Sequence, residues 1–492
     1  MHQRSNRLYV LFTASTLIAW SGLLFSAAQA QDQPKIKVAC VGDSITFGAR
    51  VENREENNYP TQLGQILGEN YLVKNFGVSG TTLLSNGNKP WIKSRVFKPA
   101  TQFNPDIVII KLGTNDTKPG NYPDHADEFE TDYAKLINHF RELPSEPQIY
   151  ICTPAPVVPE QKPNPKIKDE VMVKVRPRIA NVARDNGCNI IDLHMSLKDH
   201  PEWFPDGIHP NAQGARAMAE TVARQLQTPL DSEFDVQKKF AAAGVENVAE
   251  GSFHGYTEYS FGLDKASCKI VKPTVTAEGA PWVWRARFYG HQPQFDIAML
   301  QQGWHICYCD VSNLFGSPTA VERWDNFYSL AQEFGLNNKP FLEGMSRGGL
   351  IVHNWAKAHP DQVCGIYGDN PVCDARSWPG GKGTGKGSEK NWRLFLEAYG
   401  LTEDEAAEFK GFPIDGLAPL AESKIPLLHI VGTADTTVPP AENTDILEAR
   451  YKELGGPVEV IRKEGLKHHP HCLPNPNRIV DFALESFRQP SE

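Results

Sequence analysis

The chain has 492 residues, of which 40% are hydrophobic and 22% charged. That length exceeds one ordinary core and suits two domains, each with enough apolar residues to bury its own. A formal net charge of −9 argues against nucleic acid as a partner, because a phosphate-binding surface needs clustered positive charge.

Arg4 and Arg7 precede an apolar stretch from Leu8 to Phe25, which runs on to Ala28-Gln29-Ala30. A basic start, an apolar middle and a small-x-small end predict a signal peptide over residues 1–30, and so export to the periplasm or beyond. A retained anchor suits the stretch less well, since Thr13, Ser15, Thr16, Ser21 and Gly22 dilute it. No later segment is long and apolar enough to span a bilayer, so no stable membrane insertion is expected after cleavage.

In chain order, Ile36 to Val41, Leu72-Val73, Ile107 to Ile110, Gln148 to Ile151 and Ile190 to Leu193 read as buried strands. Helical patterns lie between and after them: Thr61 to Glu69, Asp132 to Arg141, Val171 to Asn186 and Asn211 to Leu226. This alternation predicts a parallel sheet covered on both faces, with any site beyond the carboxyl ends of the strands. The polar segment Thr228 to Ser232 reads as a linker, and residues 228–252 as linker and lead-in. The second half offers strands at Tyr256 to Phe261, Cys268 to Val271, Trp282 to Phe288, Trp304 to Val311, Pro340 to Glu343, Val363 to Tyr367, Pro426 to Val431 and Val458 to Arg462. The first two are placed to form an antiparallel hairpin, and the rest alternate with helices. That predicts a second α/β sheet. The glycine-rich stretch Pro379 to Ser388 lacks the spacing of a phosphate-binding loop and reads as a surface loop.

Nine cysteines are scattered along the chain, and an odd count leaves at least one thiol over. Cys40, Cys152 and Cys307 sit in strand-like runs and read as small buried hydrophobes. Cys307 and Cys309 lack a matching Cys/His pair for zinc. Cys364 and Cys373 flank a loop, and their pairing is left open.

Gly42-Asp43-Ser44 directly follows the first strand, so Ser44 is the candidate nucleophile, with its own backbone N–H free. It needs a base, and Asp206-Gly207-Ile208-His209 supplies one: the carboxylate three residues earlier can hold the ring while the other nitrogen faces the serine. Gly80 offers a backbone N–H and Asn115 a side-chain N–H for an oxyanion. These motifs resemble the SGNH (GDSL) hydrolase family over roughly Lys35 to Leu226. The resemblance implies a flavodoxin-like three-layer sandwich over residues 31–227. It also implies Ser44 as nucleophile, Ser44, Gly80 and Asn115 as oxyanion donors, and Asp206 and His209 as orienter and base.

Gly344-Met345-Ser346-Arg347-Gly348 follows an apolar strand and precedes a helical stretch, as a nucleophile elbow does. Asp435 follows a later strand, and His468, His469 and His471 follow the last one. The order Ser, Asp, His resembles the α/β-hydrolase family, which implies that fold over residues 253–492. His468 aligns best as base, His469 competes because Lys467 replaces a family glycine, and His471 is third. One oxyanion donor would be the backbone N–H of Arg347. The other would come from the Trp284-Arg285-Ala286 segment, where Arg285 reads equally as an ion-pair residue. Trp282, Trp284, Phe288 and Tyr289 suit strand packing better than sugar stacking.

Both groups imply acyl transfer from an ester to water, with no metal and no cofactor. Export and two fused esterase units resemble bacterial bimodular carbohydrate esterases, with an acylated carbohydrate or other ester as substrate. The alternatives are a lipid or aryl esterase, or one catalytic domain beside a glycan-binding one. A peptidase shares the elbow, but no propeller-length repeat precedes it here.

Overall fold

The computed structural model describes residues 34–161 and 164–488. The expected signal peptide, residues 1–30, lies outside them.

The first sheet has β1 (Ile36–Gly42), β2 (Tyr71–Gly77), β3 (Ile107–Lys111), β4 (Gln148–Cys152) and β5 (Asn189–Ile191), in the order β2-β1-β3-β4-β5 with every neighbour parallel. The alternation of strand side chains makes it a middle layer. Val38 and Cys40 of β1 join a cluster with Leu63, Met218 and Val222. Ala39 and Val41 join another with Leu136, Ile137, Val175 and Ile179. Helices Tyr59–Leu67 and Ala212–Leu226 therefore cover one face, and Phe129–Arg141 and Asp169–Asp185 the other. Asn58 and Asn211 start two of these helices by accepting backbone N–H bonds from Thr61 and Gly214.

Residues 228–252, expected as linker and lead-in, carry structure of their own. They hold β6 (Leu230–Asp231), a helix over Val236–Ala242 capped by Asp235, and most of β7 (Ala249–Phe253). The chain continues through β8 (Tyr256–Leu263), β9 (Ala266–Val271), β10 (Thr276–Ala277), β11 (Trp282–Arg285), β12 (His305–Cys309), β13 (Phe341–Met345), β14 (Gly365–Asp369), β15 (Leu427–Gly432) and β16 (Val458–Lys463). β6 and β10 pair with each other. The remaining nine form a mixed sheet ordered β16-β15-β14-β13-β11-β12-β9-β8-β7. Its strands are parallel from β16 to β12 and antiparallel from β12 to β7. The expected hairpin is β8–β9. β7, whose residues 249–252 had been assigned to the lead-in, is its third strand. Ala249 to Ser252 are exposed, so no apolar run marked the strand.

From Lys35 onward the chain is one compact unit. Helix Gln294–Gln301 lies against β5, and one apolar cluster includes Val182 and Ile190 of the first half with Phe253, Tyr256 and Met299 of the second. Arg184 Nη1 donates to Gly255 O at 2.8 Å, and Arg224 Nε to Asp481 Oδ1 at 2.7 Å.

Trp282 and Trp284 are fully buried, and Trp284 stacks on Trp324 at 3.9 Å between centroids. Packing, not sugar contact, occupies both. Trp284→Ala should cost about 3–5 kcal/mol, the usual range for emptying a large aromatic site. Urea unfolding of the two proteins measures it; a loss under about 1 kcal/mol would contradict a rigid core here.

Candidate active sites

The backbone of β1 must turn sharply after Gly42. A Cβ on Gly42 would lie 2.1 Å from Thr46 Oγ1 and 2.7 Å from Lys111 O, so only glycine fits. Asp43 caps the short turn of helix that follows, accepting from Ile45 N–H at 2.9 Å. Its two oxygens also accept from Lys111 Nζ at 3.2 and 3.1 Å, with both side chains fully buried. Lys111 ends β3 opposite Gly42 and donates to Thr114 Oγ1 at 2.8 Å as well.

This anchored turn holds Ser44 with its Oγ 2.9 Å from His209 Nε2. His209 Nδ1 lies 2.8 Å from Asp206 Oδ2. Asp206 Oδ1 accepts the backbone N–H of Ile208 at 3.1 Å and of His209 at 2.8 Å, which fixes the loop. Burial pushes the Asp206 carboxyl upward, but the hydrogen bonds from His209 and Ile208 outweigh it, and the group sits below its ordinary range. Asp206 therefore stays ionised and oriented at neutral pH. Exposed Arg50 adds a contact, Nε to Asp206 Oδ2 at 3.0 Å.

Asn115 is buried, and its Nδ2 donates to Thr81 O at 3.0 Å, next to Gly80 with its φ of 82°. Asp116 ties the same two loops together by accepting from Leu83 N–H at 3.0 Å and Leu84 N–H at 2.9 Å. Burial pushes the Asp116 carboxyl up to about 6 against those bonds. The fold thus joins Ser44, Asp206 and His209 in one relay and sets the Asn115 amide against the loop carrying Gly80. Sequence reasoning missed Lys111 and Asp116; the one signal was a lysine closing the apolar run Ile107 to Ile110.

The second group stands at the end of β13. Ser346 has φ 51°, a left-handed conformation that a non-glycine residue adopts under constraint. A Cβ on Gly344 would come 2.6 Å from Val352 Cγ2, and one on Gly349 2.7 Å from Val372 O, so strand and helix approach too closely for side chains. Ser346 N–H donates to Asp369 O at 2.8 Å. Its Oγ lies 3.0 Å from His468 Nε2, and His468 Nδ1 lies 2.6 Å from Asp435 Oδ2. Thr437 and Val438 N–H hold Asp435 Oδ1 at 2.8 and 3.0 Å. Asn370 Nδ2 donates to His468 O at 2.9 Å. Of the three histidines it is His468 that reaches both partners. His469 is exposed, and His471 is turned to a different carboxylate, Nδ1 to Asp369 Oδ1 at 2.7 Å.

Arg285 does not act as an oxyanion donor. Its guanidinium is buried against Asp296 and donates to Glu343 Oε1 at 3.0 Å, Phe288 O at 3.0 Å and His291 O at 2.6 Å. The neighbouring Ala286 N–H is taken by Glu343 O at 2.9 Å. All nine cysteines are buried and unpaired, so Cys364 and Cys373 form no bridge. Among the described residues one cluster has metal-ligand spacing, His468, His469 and His471, with ligand atoms within 4.8 Å of one another. Both ring nitrogens of His468 already face Ser346 and Asp435, so a metal there would have to break the relay.

Residues 40–217 match the model of the GDSL-like Lipase/Acylhydrolase family. The chain is 40% identical over 217 residues to an acetylxylan esterase of Xylanibacter ruminicola, a match covering 40% of this chain and 44% of that protein. It is 30% identical over 130 residues to a multidomain esterase of Ruminococcus flavefaciens, covering 26% of this chain and 16% of that one. Among solved structures, a puromycin-hydrolysing peptidase of Mycobacterium tuberculosis is 13% identical with a TM-score of 0.37, covering 48% of this chain and 38% of that one. The chain thus spans less than half the length of either curated relative. Residues 40–217 are thus a GDSL/SGNH hydrolase domain, and that family together with the esterase relatives supports a carboxylic ester hydrolase.

Lys111→Met would leave Asp43 charged, buried and unpaired. Such a break costs about 3–5 kcal/mol, and denaturant titration should register it. Loss of ester hydrolysis by the domain should accompany it, since the same carboxylate caps the Ser44 turn. A variant of wild-type stability would show that the pair is not needed to hold the turn.

Proposed function

We propose that the chain is an exported carboxylic ester hydrolase with two serine centres that remove acetyl or other acyl groups from polysaccharides. The observation carrying this reading is that two separate serines each meet an imidazole backed by an aspartate, at 2.9 and 2.8 Å in the first half and 3.0 and 2.6 Å in the second.

In each centre the histidine takes the serine proton as Oγ attacks the ester carbonyl, and the aspartate stabilises the imidazolium. The tetrahedral oxyanion of the first centre is bound by the N–H groups of Ser44 and Gly80 and the Asn115 amide. The alcohol leaves with the histidine proton. Water, activated by the same histidine, then releases the acid and frees the serine. The second half fits an α/β-hydrolase fold: a mixed sheet, an elbow with left-handed Ser346, and the order Ser346, Asp435, His468. Its oxyanion donors are the N–H groups of Arg347 and Arg287; Arg287 is favoured because its N lies 3.8 Å from where a Gly348 side chain would start, while Ala286 N–H is taken by Glu343 O. The carbohydrate substrate is supported by the 40% identity to an acetylxylan esterase, and export by the pattern of residues 1–30.

Ser44→Ala, Ser346→Ala and the double variant test this against acetylated xylan and small acyl esters. Each single variant should lose at least about a thousandfold of kcat on its own subset of esters, and the double variant all turnover above that background. If one single variant abolishes hydrolysis of every ester, there is one centre, and the other domain serves another purpose such as glycan binding.

A further inference from the structure

Two arginines flank the turn that carries Ser346, and neither is in an ion pair among the described residues. Arg347 directly follows the serine. Its guanidinium lies over the rings of Trp378, Phe315 and Phe288, at 5.1, 5.7 and 5.9 Å. Its hydrogen-bond partner is a neutral amide, Asn391 Oδ1 at 3.2 Å. Among the described residues no carboxylate lies within ion-pair distance of it. Arg287 reaches the same Phe288 ring at 4.8 Å, and its Cβ sits 3.4 Å from the Cβ position of Gly348. It donates to Ser312 Oγ at 2.6 Å, and its buried Nε has no hydrogen-bond partner among the described residues. Asp310, bonded to Ser312, feels the Arg287 charge and offsets part of it.

Burying a guanidinium without an anion is costly, and two close together cost more. Burial, with the charge of Arg287, pushes Arg347 down to about 10, which still leaves it cationic at neutral pH. Contrast Arg285, which is fully buried but satisfied by Asp296 and Glu343, whereas Arg287 and Arg347 are partly buried. Both arginines are only partly buried and lie on segments next to the Ser346 turn, so their positive charge faces a substrate bound there.

We infer that the Ser346 centre is specific for esters of carboxylate-bearing sugars, with the uronate group bound between Arg287 and Arg347. This rests on the reading of Ser346 as a nucleophile. The planar guanidinium matches a carboxylate in two-point geometry. One negative charge is the right amount, because Asp310 already balances part of Arg287. A dianionic phosphate would overshoot it. The chemistry stays ester hydrolysis: water supplies the hydroxyl to the released acid and the proton to the sugar alcohol, while the uronate is only gripped.

The test uses the full chain carrying Ser44→Ala, so that turnover comes from Ser346. Acetate release is compared for an acetylated methyl glucuronoside and the matching acetylated methyl glucoside. The expected result is a kcat/KM at least tenfold higher for the uronate, a preference that falls at least fivefold on adding Arg347→Gln or Arg287→Gln and weakens with rising salt. Calorimetry with unacetylated methyl glucuronoside should show binding that methyl glucoside lacks and that either substitution abolishes. Equal turnover of both esters, or equal binding of both sugars, overturns the inference. Stronger competition by glucose 6-sulfate than by the glucuronoside overturns the carboxylate assignment. If the Ser44→Ala protein hydrolyses no ester but still binds the glucuronoside through the arginines, the nucleophile reading fails and the anion site stands.

Discussion

Each candidate serine stands two residues after a glycine at the end of a parallel strand, and the glycine is there because nothing larger fits. A Cβ at Gly42 would overlap the Thr46 hydroxyl, and one at Gly344 would overlap Val352. The constraint is geometric. A strand that continued straight would bury its next side chains between layers. A strand that turns at once lifts the serine hydroxyl to the carboxyl edge of the sheet, where loops from other strands bring a histidine and an aspartate. The same solution appears in two sheets of different order, one five-stranded and all parallel, one nine-stranded and mixed.

Below each turn lies a buried ion pair joining the serine's strand or turn to the neighbouring strand. Asp43 pairs with Lys111 of β3, and Glu343 of β13 pairs with Arg285 directly opposite on β11. Such pairs add little net stability against an apolar alternative, because desolvation offsets attraction. What they add is a penalty for any arrangement that separates them. A slip of β1 against β3, or of β11 against β13, would strand a charge in the core. Position is therefore enforced where a displacement of an ångström would break a serine–histidine contact.

The strand runs that end at these turns were legible because buried parallel strands read as unbroken apolar segments, as in Ile107 to Ile110. Ser44 with Asp206 and His209, and Ser346 with Asp435, were legible because each follows such a run or sits on a loop at that edge. The choice among His468, His469 and His471 was open in sequence: adjacent residues on a loop differ only in where their rings point, and Asn370 and Asp435, far away in the chain, settle that. β7 was invisible because its first four residues, Ala249 to Ser252, are exposed and form no apolar run, and its pairing comes from β8. Arg285 was ambiguous because its partners, Asp296 and Glu343, lie 11 and 58 residues away. The Asp116 tie to Leu83 and Leu84 likewise joins loops that no local pattern links.

The two groups differ in enclosure. The His468 and Asp435 side chains are 11% and 0% exposed, whereas the His209 and Asp206 side chains are 17% and 26% exposed. A field is weaker beside water, so the first site, open and flanked by the solvated Arg50, depends on hydrogen-bond geometry more than on charge. In the second, the relay side chains are more enclosed and the partly buried Arg347 lies against three aromatic rings, so a charge there is screened less. Enclosure also limits what can enter.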